Sequence, residues 1–158
     1  MRKVFLFGFV IFGLYFSVLA FADDSVTKKE LTLSQTAGAL ATLDIEYGDN
    51  VSHELATARF KDILSQLSEK TKTSPYKIGE SFAVVAKELK KYGILENIRK
   101  MANDFNLMME SYYPTPDFRE TLAMYGVMRE KGASRKKTIR GIESLLDAMN
   151  KAAASSEK

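Results

Sequence analysis

The segment Ile94 to Tyr113, ILENIRKMANDFNLMMESYY, carries the strongest helical pattern in the chain. At 100° per residue, Ile94, Leu95, Ile98, Met101, Ala102, Phe105, Met108, Met109, Tyr112 and Tyr113 fall within an arc of about 140°. Glu96, Arg99, Lys100, Asn103, Asp104 and Glu110 take the opposite, solvated side, and Leu107 alone among the large apolar residues points away from the arc. Such a helix needs one broad apolar partner surface, so the neighbouring segments should be helices that cover it.

They read that way. Before it, Ile78, Phe82, Val85, Leu89 and Tyr92 form a stripe in a helix that Ser74 can cap and Pro75 can start, since proline at a first-turn position loses no hydrogen bond. Gly93 then supplies a left-handed closing residue. Further upstream, Ala56, Phe60, Ile63, Leu64 and Leu67 share one helix face, with Arg59, Lys61, Asp62, Glu69 and Lys70 as solvated neighbours. After it, Thr115 is expected to cap, Pro116 to begin and Asp117 to favour the dipole of a helix carrying Phe118, Leu122, Tyr125 and Met128. Ser134 can cap a last helix striped by Ile139, Ile142, Leu146, Met149 and Ala153.

The segment 23–50 reads as an N-terminal arm or short helix. Thr27 and Glu30 have capping-box spacing, Leu31 to Leu33 suit an extended arm, and Ala37, Leu40, Ala41 and Ile45 suit a helix weakened by Gly38. The fold class is therefore all-α: an antiparallel bundle of four to five helices, with the bundle domain over residues 51–154.

The chain opens with Arg2 and Lys3, an apolar run from Val4 to Ala20, and Ala20-Phe21-Ala22 before two aspartates, which reads as a secretory signal peptide over residues 1–22 cleaved after Ala22. The product is expected to be exported to a bacterial periplasm or cell exterior. Removing Arg2 and Lys3 lowers the formal charge from +3 to +1, so no global pull toward nucleic acid is indicated. The absence of cysteine excludes disulfides, thiolate chemistry and a lipid-modified N-terminal Cys.

No catalytic set stands out. Ser74 and Lys77 have the S-x-x-K spacing of some serine acyl-transfer enzymes, but capping already explains Ser74. His53, the only histidine, lies in the first turn of a helix, where side chains are usually wet. Asp44, Glu46, Asp49 and Glu54 surround Gly48 but fail the EF-hand spacing, and read as a solvated acidic turn. No cofactor or metal is implied.

Two stretches suit binding. Met108, Met109, Tyr112, Tyr113, Phe118, Met124 and Tyr125 cluster around the turn at Pro114; methionine-rich aromatic surfaces fill cores, or form adaptable grooves for apolar segments. From Arg129 to Arg140, six cations accompany one acid, Glu130. Among them Arg135, Lys136, Lys137 and Arg140 occupy the start of a helix, where positive charge opposes the dipole. The expected role is a non-enzymatic binding module whose partner is a protein or an anionic envelope component, with peripheral membrane contact as the alternative. Nucleic acid is not expected, since no reading motif accompanies the cations.

Overall fold

Six side-chain oxygens decide where the helices of this chain begin. In the structure, a computed structural model describing residues 30–112 and 116–156 with side chains to residue 152, the helices are α1 (Leu33–Glu46), α2 (His53–Thr71), α3 (Pro75–Lys91), α4 (Ile98–Ser111), α5 (Phe118–Glu130) and α6 (Arg135–Ser156). Thr32, Ser52, Ser74, Asn97, Asp117 and Ser134 each accept a hydrogen bond from the backbone N–H three residues ahead. Each satisfies one of the amide donors that a helix leaves open at its start, typically worth about 1 kcal/mol. There is no strand among the described residues, and the protein is all-α.

The caps correct three expected boundaries. The central helix starts at Ile98, four residues late, because Asn97 Oδ1 accepts the Lys100 N–H at 2.8 Å and stops the helix from extending backward. The next helix is capped by Asp117, whose Oδ1 accepts the Glu120 N–H at 2.9 Å; Thr115 lies outside the described residues. The N-terminal helix forms as well, so six helices stand among the described residues where four or five were expected. Thr32 and Gln35 build its capping box, five residues along from the expected Thr27 and Glu30. Residues 1–22, read as the signal peptide, also lie outside the described residues.

Three chain reversals use glycine in the left-handed region, Gly48, Gly93 and Gly132, with φ of 98°, 76° and 87°. The connection after α2 instead uses Lys72 at φ 56°. A lysine there carries the steric cost that glycine avoids.

α1 lies against α2 and α3, α2 against α4, α3 against α5, and α5 against α6. The central stripe is buried as expected: Ile98, Met101, Ala102 and Phe105 are fully enclosed, while Leu107 is exposed. Phe82, Phe105 and Phe118 meet edge to face at centroid distances of 5.4 to 5.9 Å, and Tyr125 adds a fourth ring 5.7 Å from Phe105. These contacts tie α3, α4 and α5 together, each worth about 0.5–1.5 kcal/mol beyond burial. Of the expected arm or short helix the helix forms, and Ala37, Leu40 and Ala41 of α1 are buried. From Leu31 onward the described residues form one unit.

The short connection before α4 departs furthest from its expected placement. Leu95, assigned to the apolar arc, is 58% exposed, whereas Glu96, assigned to solvent, is 3% exposed and bonded at 2.6 Å to Arg129 Nε at the end of α5. Two residues on, the Ile98 N–H donates to Asp44 Oδ1 at 2.6 Å, and Arg99 grips Asp49 with two bonds of 2.9 and 3.1 Å. Asp44 is fully buried. Of the expected solvated acidic turn, Asp44 and Asp49 thus form an internal tie between α1 and α4, while Glu46 and Glu54 are exposed. Burial and a shared hydrogen bond with Asp49 push the Asp44 carboxyl up to about 6. Burial also works against Asp49, but the Arg99 guanidinium outweighs it and holds that carboxyl below its ordinary value.

Two glycines inside helices test the packing. A Cβ on Gly79 would collide with the buried Thr36 Cγ2 of α1, a β-branched side chain with no room to turn. A Cβ on Gly141 would meet only the mobile end of Met128, at 2.6 Å from Cε. Gly79→Ala should therefore destabilise the fold by about 1–3 kcal/mol. Gly141→Ala should be neutral or gain up to about 1 kcal/mol from helix propensity. Urea denaturation of both variants checks the contrast.

The Asp44 carboxyl ionises at higher pH in the fold than in the unfolded chain. Its contribution to stability is complete below its ordinary pKa of 3.8 and is lost as pH rises through about 6. Asp44→Asn keeps an acceptor for the Ile98 N–H without the buried charge. It should raise stability at neutral pH by about 1 kcal/mol and flatten the decline between pH 4 and 6. An unchanged slope in denaturation curves across that range would show that Asp44 ionises normally.

Candidate functional site

The start of α6 sorts the basic stretch into internal and external charges. Gly132 reverses the chain after α5, the Ala133 N–H returns to the Met128 carbonyl at 3.1 Å, and Ser134 caps the new helix. This turn aims Arg135 back at α4, where its Nη1 bonds Asp104 Oδ2. Arg129 is likewise internal, held by Glu96 and by the Ala133 carbonyl. Lys136, Lys137 and Arg140 are exposed, and their side chains form no ion pair or hydrogen bond among the described residues. Each lies in the first two turns of α6, where cations meet the positive end of the helix dipole and gain nothing locally.

Arg135 also forms one wall of a surface cleft of about 560 Å³ between α2 and α4. Arg59, Arg99 and Lys100 add positive charge to the lining, and Asp62 and Asp104 oppose it. Arg99 and Arg135 already hold Asp49 and Asp104. The charges left for a ligand are the exposed Arg59 and Lys100, facing Asp62. The cleft thus extends the basic start of α6 onto two other helices. Sequence reasoning did not include Arg59 or Lys100, because each stands on an ordinary solvated face until the pairing of α2 with α4 is known.

The methionine and aromatic half of the expected site is placed differently. Met108 and Met109 are 2% exposed, Phe118 3% and Tyr125 0%, so these four fill the core rather than line an open groove. Unbranched methionines close the gaps that the four aromatic rings leave. Tyr112 and Met124 are half-buried, and the Tyr112 hydroxyl donates to the Glu143 carbonyl of α6 at 3.1 Å. Tyr113 lies outside the described residues. Among the described members, the two halves are not joined into one surface: Met108, Met109, Phe118 and Tyr125 face inward, while Lys136, Lys137 and Arg140 face solvent.

The polar side chains that could have carried chemistry have structural partners. His53 Nε2 lies 3.2 Å from the Gly38 carbonyl and from Thr42 Oγ1, spanning α1 and α2. The carbonyl can only accept, so this contact requires the Nε2–H tautomer. Ser74 caps α3, accepting the Lys77 N–H at 3.4 Å. No group of three or more histidine or acidic side chains is arranged to hold a metal among the described residues. No helix among the described residues is long and apolar enough to cross a membrane. Comparisons with protein families, with characterised proteins and with solved structures yield no match to this chain.

Proposed function

We propose that the chain is an exported, non-enzymatic binding module of a bacterial cell envelope: an antiparallel helical bundle that docks an anionic partner on Lys136, Lys137 and Arg140 and on the adjoining rim of Arg59 and Lys100. The observation that carries this reading is the exposed start of α6. Three neighbouring cations stand there without an acidic partner among the described residues, at the end of a helix that disfavours them. Charge kept against a local electrostatic cost is most simply accounted for by a partner that neutralises it. The leading segment supports export, through its two cations, its apolar run and the small residues Ala20 and Ala22 ahead of Asp23. The absence of cysteine and the structural engagement of His53 and Ser74 favour binding over catalysis.

The partner is an acidic protein face or an anionic envelope component, and ionic strength separates a docked charge cluster from an apolar contact. The immobilised mature chain, exposed to solubilised envelope of its source cells, should retain a partner that raised salt releases. Lys136→Glu with Arg140→Glu should weaken that retention at least tenfold. Retention insensitive to both salt and the double charge reversal would remove the basic start of α6 as the docking site. Sedimentation with phosphatidylglycerol vesicles, lost with the same double variant, would identify the anionic component as the membrane surface itself.

A further inference from the structure

Gln66 bonds Asn106 at 2.7 Å and Lys70 bonds Glu110 at 3.1 Å, so α2 and α4 run parallel and in step. Arg59 of α2 therefore stands level with Lys100 of α4, and both line the cleft of about 560 Å³ between these helices. An exposed leucine stands on either side of this pair. Leu55, one turn before Arg59, is 44% exposed, and Leu107, two turns after Lys100, is 56% exposed. We propose that the trough between α2 and α4 receives an amphipathic helix of a partner protein, with one apolar side chain on Leu55, another on Leu107 and a carboxylate between Arg59 and Lys100. This deepens the docking reading above and rests on it, because Arg59 and Lys100 form the rim of that surface.

The spacing suits a helix laid lengthwise. Leu55, Arg59 and Asp62 follow one another at i, i+4 and i+7, and Lys100, Asn103 and Leu107 at i, i+3 and i+7, so each set forms a stripe along its own helix. All six are exposed, and the side chains of the four polar ones form no ion pair or hydrogen bond among the described residues. Arg99, Asp104 and Arg135 share the cleft but are spent on internal ties. Asp62 offsets one of the two free cations, and the exposed Lys136, Lys137 and Arg140 beyond Arg135 keep the surplus positive.

The class of partner follows from what the trough lacks. It offers no strand edge, since there is no strand among the described residues, whereas a helix satisfies its own backbone and asks only for side-chain contacts. An anionic lipid surface fits less well. Glu110, 67% exposed and one turn beyond Leu107, and Asp62, one turn beyond Arg59, would both be pressed against headgroups of their own sign. Leu55 and Leu107 lie about 18 Å apart along the helices, a span of about three turns. A helix with leucines at i and i+11 and a glutamate at i+4 presents all three on one face.

Two alanine-based helical peptides provide the probe, one with this pattern and one with it reversed, so that either chain direction is covered. The control has the same composition and charge, with both leucines moved two positions onto the opposite face. Fluorescence anisotropy with the whole mature chain should show saturable binding of at least one patterned peptide, at least fivefold tighter than the control. Leu107→Gln keeps a good helix former at an exposed position and should reduce the patterned peptide to the level of the control. Lys100→Glu should weaken both peptides. No binding, equal affinity for patterned and control peptides, or an unchanged preference in Leu107→Gln would overturn the helix seat. So would sedimentation with phosphatidylglycerol vesicles that Leu107→Gln reduces, since the leucine would then meet lipid. Equal binding of both peptides that Lys136→Glu with Arg140→Glu abolishes would overturn the helix seat while leaving the charge docking in place.

Discussion

Four consecutive residues, Glu96 to Arg99, fasten the end of α1 and the end of α5 to the start of α4. Glu96 reaches forward to Arg129 at the end of α5, while the Ile98 amide and the Arg99 guanidinium reach back to Asp44 and Asp49 at the end of α1. Charges taken this far out of water lose several kcal/mol of hydration each, which only well-aligned partners recover. Here the alignment is two-pronged at Arg99 and short at Glu96. Removing Arg129 would leave the Glu96 carboxylate buried and uncompensated. The connection between α3 and α4 therefore cannot be shifted in register without exposing an apolar face or stranding a carboxylate. That constraint makes α1 part of the core rather than a detachable arm.

The helical stripes were legible in the sequence because they depend on period alone. Ala56 to Leu67 and Ile98 to Met109 are buried as their spacing requires, and the isolated Leu107 is exposed as its angle requires. The boundaries were less legible, since the apolar period runs on through residues that are not helical. Ile94 fits the stripe of α4 and packs against the core, yet it sits in an extended connection that Asn97 closes off. Helical angles also say nothing of partners far along the chain. Glu96 looked solvated because its counterion, Arg129, is 33 residues away, and Asp44 looked like a surface acid because Ile98 is 54 residues away.

The same blindness limited the candidate site. Arg129, Arg135, Lys136, Lys137 and Arg140 form one basic block in the chain, but Glu96 and Asp104 draw the first two inward. Nothing in the block distinguishes them from the three that stay outside. The methionines pose the converse difficulty: an adaptable groove and a gap-filled core have the same composition, and only the packing of Phe82, Phe105, Phe118 and Tyr125 decides for core.

A division of labour among the cations follows. The internal ties at Asp49, Glu96 and Asp104 are all made by arginine, whose rigid planar fork holds a carboxylate in a fixed geometry. Lysine serves an internal tie at Lys70, where three acceptors converge on a single ammonium and match its three donors. The lysines at the cleft between α2 and α4 and at the start of α6, Lys100, Lys136 and Lys137, are exposed. An ammonium on a flexible stem accepts an anion from any direction and demands no planar partner. Arg59 and Arg140 add a few directional donors to these surfaces. Such surfaces are suited to phosphate oxygens and mobile acidic side chains, and would discriminate poorly between carboxylates of fixed orientation. Arginine, the geometrically exact cation, thus makes most of the ties between helices, while most of the lysines on these surfaces stay outside, where an ammonium keeps its hydration.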